Sequence, residues 1–164
     1  MKRFNRCLVA ASLFAGFIGA GAIPALAVNE VNIVPGQTAV GAPLGLHGRD
    51  IVELMNGKGT KKGSAKFTGT HEGVAYYFTS QANLNTFKAS PAKFIPQNGG
   101  YCTYGVSVAK KFDGDPDFAA VEGGKLYVFL NEEIYGLFLK DKAGTIAKAA
   151  ANWPKIMSKA PSEL

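Results

Sequence analysis

The first 27 residues decide how much of this chain is left to fold. Lys2, Arg3 and Arg6 form a basic head, Leu8–Ile23 is an apolar run broken by Gly16, Gly19 and Gly21, and Ala25-Leu26-Ala27 ends it. Basic head, apolar middle and small-x-small end are the parts of a secretory leader. The run covers 16 residues, short of the roughly 20 that span a bilayer. Arg3 and Arg6 are not adjacent, so the twin-arginine route is not indicated. Cys7 precedes the apolar run and is not placed for lipoprotein acylation. The expectation is cleavage after Ala27 and a periplasmic or secreted chain, Val28–Leu164.

That leaves 137 of the 164 residues, and the formal charge falls from +6 to +3 because the leader holds three cations and no acid. Domains commonly need roughly 100–200 residues, so one core is expected, without room for a two-domain enzyme or a polytopic membrane protein. After cleavage no membrane span is expected. A charge of +3 spread over this length does not argue for nucleic acid. One thiol remains, Cys102. In an oxidising compartment it must be buried, metal-bound or paired with another molecule.

Residues 28–43 have no period and read as an extended arm. Leu44–Asn56 is a short apolar segment broken by Gly45 and Gly48, and Gly57–Gly63 is a basic loop. Ser64–Thr70 and Val74–Thr79 flank His71-Glu72-Gly73, and their aromatic and β-branched residues predict a hairpin. Ser80 is placed to cap a helix to about Lys88, and Ser90-Pro91 starts another short one. Gln97–Ala109 begins Gly-rich and continues as helix or strand. Asp113–Asp117 predicts a turn. Phe118–Val121 and Lys125–Leu130 predict a second hairpin, with the second strand central because both its faces are apolar. Asn131 caps a helix to about Lys140. An Ala-rich helix over 145–152 ends near Trp153-Pro154, and 157–164 reads as a flexible tail. No internal repeat is visible. The expected fold is a small α+β domain over 44–156, with hairpins forming an antiparallel sheet and short helices between them.

Few residues can carry chemistry. His47, His71 and Cys102 are the only imidazoles and thiol of the mature chain, and their spacing gives no catalytic dyad or nucleophile elbow. Gly57–Gly63 lacks phosphate-loop spacing. Asp113-x-Asp115-x-Asp117 suits a hard cation, but Phe118 and Gly124 stand where a helix–loop–helix calcium site needs Gly and Glu. The plainer reading is Asp side chains capping a turn. Thiolate with imidazole suits copper or zinc, which makes Cys102, His71 and His47 the candidate metal ligands. Tyr101 and Tyr104 bracket Cys102 between glycines. That loop reads equally as an open ligand pocket, with both tyrosines touching the ligand, or as a tight turn whose rings close the core.

The stretch Thr70-His71-Glu72-Gly73-Val74-Ala75-Tyr76-Tyr77-Phe78-Thr79-Ser80, followed by Phe87–Phe94, resembles the YHS domain family. Pro96–Val106 with its Gly-Gly-Tyr-Cys core, Asp113–Pro116, Gly124–Tyr127 and Ala151–Pro154 are similar to the exported bacterial members. The resemblance runs from about Leu44 to Ile156. It implies a heavy-metal-associated module. Many members hold metal through paired cysteines, one directly after the Phe of the hairpin strand and one four residues on. Those places here are Thr79 and Asn83, and Arg49-Asp50-Ile51-Val52 lacks the upstream Cys and departs from the usual Tyr-Asp-Pro-Val. The resemblance therefore implies a non-enzymatic exported protein with a copper-class ion on Cys102, assisted by His71 or His47. The alternative is a scaffold that binds a small ligand or a protein, in which Cys102 only packs.

Overall fold

The computed structural model describes residues 30–164; the expected leader, the expected cleavage point after Ala27 and Cys7 lie outside the described residues. The fold is mixed α/β, with a four-stranded sheet, a two-stranded sheet and five α-helices among the described residues. Strands are β1 (Ile33–Val34), β2 (Leu44–Gly45), β3 (Ser64–His71), β4 (Val74–Phe78), β5 (Asp115–Glu122) and β6 (Lys125–Phe129). Helices are α1 (Ile51–Met55), α2 (Gln81–Ala89), α3 (Thr103–Ser107), α4 (Glu132–Lys140) and α5 (Lys142–Ile156).

Local chemistry explains most of these bounds. Both expected hairpins form, β3–β4 and β5–β6, each antiparallel. The Ser80 side chain accepts from Asn83 N and starts α2, and Asn131 does the same for α4 through Ile134 N. These caps satisfy N–H groups that the first turn leaves without a partner. α2 stops at Ser90 because Pro91 disfavours helical dihedrals in the residue before it.

Three expectations need correction. The sheet is not purely antiparallel, because β2 lies parallel to β4, pairing Leu44 with Ala75. β6 pairs with β5 and with no other strand of that sheet. It is apolar on both faces because it divides two cores. Leu126 and Val128 pack with the β4 and α2 side chains, while Tyr127 and Phe129 pack with Phe138 and Cys102. α5 starts earlier than expected, on an Asp141 cap, and runs through Pro154 to Ile156. Pro154 removes one donor close to the helix end, on a turn where Ala150 and Pro154 are both exposed. Residues 157–164 make contacts with the rest of the chain. Glu30 N donates to Met157 O, Lys111 Nζ reaches the carbonyls of Met157 and Lys159, and Leu164 packs on the Tyr101–Ile156 cluster.

A further correction matters more: the fold is internally duplicated. Leu46, His47 and Gly48 form a left-handed turn (φ 47°, 48°, 70°), as do Asn98, Gly99 and Gly100 (φ 56°, 61°, 79°). Each turn leads to a five-residue helix, α1 or α3, then a hairpin of eight- and five-residue strands, then a nine-residue helix, α2 or α4. Strand and helix starts repeat at 64 and 115, 74 and 125, 81 and 132, a constant interval of 51 residues. Even the irregularity in the ladder repeats, falling between Ser64 and Thr68 and again between Asp115 and Ala119. Phe78 with Phe87 (5.0 Å between centroids) matches Phe129 with Phe138 (4.3 Å), all four fully buried. α5 and the N-terminal arm have no counterpart in the pattern.

Candidate functional site

The duplication gives Cys102 a twin. Asp50 caps α1 and Cys102 caps α3, 52 residues apart in number. The Asp50 carboxylate is sealed from solvent. Its Oδ1 accepts from Val52 N (2.9 Å) and Glu53 N (3.2 Å), and its Oδ2 from Thr79 N (2.7 Å), Thr79 Oγ1 (2.8 Å) and Asn83 Nδ2 (2.7 Å). Five donors on one carboxylate answer the cost of burying it. The Cys102 sulfur accepts from Gly105 N at 3.4 Å, and the backbone N–H groups of Leu130 and Tyr104 bear on it as Thr79 N and Val52 N bear on Asp50. Cys102 is 1% exposed. Burial pushes its thiol up, more strongly than those N–H groups pull it down. Where Asp50 faces Thr79 and Asn83, Cys102 faces Leu130 and Ile134, together with Tyr104 and Phe112, around an apolar dent of about 130 Å³.

Around Asp50 the polar network continues. Asn83 Nδ2 also donates to Glu53 Oε1 (2.9 Å), and Lys61 Nζ to Glu53 Oε2 (2.8 Å). The hydrogen bonds from Lys61 and then Asn83 hold the Glu53 carboxyl below its ordinary value of 4.5. A carboxyl depressed by folding adds stability above its unfolded pKa and loses it as pH falls through the lower folded value. Acid titration of unfolding should therefore show stability lost below about pH 4.5. Glu53→Gln should flatten that limb; an unchanged slope would show that the pair contributes nothing.

The residues singled out in the sequence are not gathered into one site. His47 Nε2 lies 3.0 Å from Asp113 Oδ1, an oxygen that also accepts from Asn32 Nδ2 at 2.7 Å. Arg49 takes Asp117 at 2.9 Å, and Asp115 accepts from Asp117 N at 2.9 Å. The Asp-rich run is thus an Arg49–Asp117 ion pair, a hydrogen bond between His47 and Asp113, and a turn cap joining the two repeats, and Asp115 already belongs to β5. His71 sits at the tip of the first hairpin, its Nε2 4.0 Å from Glu72 Oε1. No group of three or more His, Cys, Asp or Glu side chains able to hold a metal ion forms among the described residues. Tyr104 lines the apolar dent, whereas Tyr101 points away from it into the cluster of Val106, Ala149, Ile156 and Trp153.

The better-built concavity was missed in the sequence. It lies around Trp153, where α5 and the N-terminal arm meet the second left-handed turn. A cavity of about 440 Å³ is lined by Asn98, Lys125, Tyr127, Ile146, Ala150 and Trp153. A second, of about 180 Å³, shares Pro96, Gly99 and Trp153 with it and adds Glu30, His71 and Glu72. Gly99 is required here. A Cβ at its φ of 61° would lie 2.8 Å from Glu30 O and 3.0 Å from the Trp153 ring. Behind the ring, the Lys111 side chain is wholly covered. Its Nζ stands 5.0 Å from the Tyr101 ring centre and 5.4 Å from that of Trp153, 3.4 Å from Glu30 Oε2 and 3.0 Å from Met157 O. Tyr101 donates to Glu30 at 3.4 Å, and its hydroxyl is pushed up to about 12 by burial and then by the Glu30 charge. These contacts fix the indole as a rigid wall. The signal for the site was thin: the only tryptophan of the chain, followed by proline.

No helix of the described residues is long and apolar enough to cross a membrane. No family model matches the chain, and no curated protein or solved structure is similar enough to be matched to it.

Proposed function

We propose that the chain is an exported, YHS-like, non-enzymatic binding module that holds a small ligand in the Trp153 cleft, with Cys102 serving as a helix cap. The observation that carries this is the cleft itself. Its larger cavity has the volume of ordinary ligand pockets, roughly 300–1,000 Å³, at about 440 Å³. It is walled by Tyr127 and Trp153, and it is closed by α5, which stands outside the repeat. The repeated units supply a scaffold, and the added elements turn one face of it into a receptacle.

The resemblance to the YHS family is supported by convergence. The places where those proteins carry thiols, Thr79, Asn83 and the 49–52 segment, meet here around the Asp50 carboxylate. Carboxylate, hydroxyl and amide satisfy one another there. In the second repeat the matching places beside Cys102 are Leu130 and Ile134, which have no lone pair to offer an ion. A lone buried thiol among apolar side chains behaves as a small hydrophobe.

Two measurements test the reading. Elemental analysis of purified protein should give the same copper and zinc content for wild type and Cys102→Ser. Alkylation of Cys102 by iodoacetamide should be far slower in native protein than in guanidinium, because the thiol is covered and its thiolate disfavoured. One copper per wild-type chain that Cys102→Ser abolishes would replace this reading with a metal-centred one. For the larger cavity, ligand-observed NMR against small aromatic and aliphatic alcohols and carboxylates should show binding that Ala150→Phe removes. Binding that survives this filling of the cleft would place the site elsewhere.

A further inference from the structure

The smaller cavity beside Trp153 differs in chemistry from the larger one. Its mouth carries two carboxylates, Glu30 and Glu72, while Val31, Val74, Ile95 and the Tyr76 and Trp153 rings form its walls. Glu72 is held at a left-handed turn position (φ 47°) at the hairpin tip. Its side chain is 84% exposed, with the His71 imidazole 4.0 Å away and no Lys or Arg ion pair among the described residues. Its charge reaches the cavity wall: after burial, Glu72 is the second cause that raises the Tyr76 hydroxyl. Glu30 is already offset by Lys111. Glu72 is thus the carboxylate left for something that enters.

The protein also displays what this combination of groups holds. On the inner side of the same indole, an ammonium, that of Lys111, lies over the rings of Trp153 and Tyr101 and beside Glu30. An aromatic face with a carboxylate at its rim attracts cations whose charge is spread over an apolar surface, and rejects strongly hydrated anions. We infer that the 180 Å³ cavity takes a small organic ammonium, its charge directed to Glu72 and its alkyl groups packed on Trp153, Ile95 and Val74. This rests on the reading of the Trp153 cleft as a ligand site and gives its smaller cavity a ligand class of its own.

The test uses choline and its uncharged isostere 3,3-dimethylbutan-1-ol, which differ in the central nitrogen or carbon. Trp153 is the only tryptophan, so its fluorescence reports on the cavity without a label. Choline should change the emission saturably, and the alcohol should bind about tenfold more weakly, the size expected of a partly desolvated cation–π contact. Glu72→Gln should weaken choline by about two- to fivefold, the range for a solvent-screened carboxylate, and leave the alcohol unchanged. Glu72 is exposed on a turn, so that variant keeps the fold. Equal affinity for the two probes would overturn the ammonium assignment while leaving a ligand cleft at Trp153. Silence of Trp153 towards both probes up to millimolar concentration would overturn the assignment, while the larger cavity is judged separately by the Ala150→Phe comparison.

Discussion

Asp50→Ala should cost the fold about 3–5 kcal/mol, the range for removing one member of a buried, charged hydrogen-bond network. The carboxylate holds α1, the end of β4 and the start of α2 together through five donors. Alanine leaves Thr79 N, Thr79 Oγ1 and Asn83 Nδ2 without that acceptor, and strips the cap from α1 as well. Urea unfolding followed by circular dichroism measures the loss. Asp50→Asn should also be destabilising, because the amide nitrogen would face donors. A loss under 1 kcal/mol for alanine would mean that water replaces the carboxylate and that the network is not dry. The matching change in the other repeat, Cys102→Ala, should cost much less, because it removes one weak acceptor and no charge.

Phe87→Ala should cost a comparable amount, about 3–5 kcal/mol, by transfer and cavity terms together. Phe87 is fully buried and contacts three aromatic rings, Phe78 at 5.0 Å, Tyr76 at 5.4 Å and Phe94 at 6.3 Å between centroids. Pairs of this kind add to simple area burial. Its counterpart Phe138 is equally buried and stacks closer on its partner, Phe129, at 4.3 Å. Duplicated packing predicts that Phe138→Ala falls in the same range. Calorimetry on both variants checks this, and a loss confined to one of them would show that the two cores are not energetically alike.

The hairpins and capped helices were legible because their causes are short-range. Val74, Tyr76 and Phe78 alternate onto one face, Ser80 and Asn131 cap within three residues, and Pro91 ends α2 by acting on its neighbour. The repeat was not legible. Between 64–89 and 115–140 only five residues are identical: Phe67/Phe118, Gly73/Gly124, Tyr76/Tyr127, Phe78/Phe129 and Phe87/Phe138. Those five are mostly core aromatics. The backbone repeats because buried rings and turn glycines set its path, while the surface and the caps were free to diverge.

The sequence by itself determined the two hairpins and the capped helices α2 and α4, since each depends on residues within a turn or a hairpin of one another. Tertiary structure decided what the chemically suggestive residues do. Cys102 looked like a ligand in a glycine-rich loop, and folding closes it under Leu130 and Ile134 as a cap. Lys111 and Glu30 carried no signal, yet they meet across 81 residues to brace Trp153. Contacts at that separation depend on how whole elements pack, and no local period or spacing encodes them.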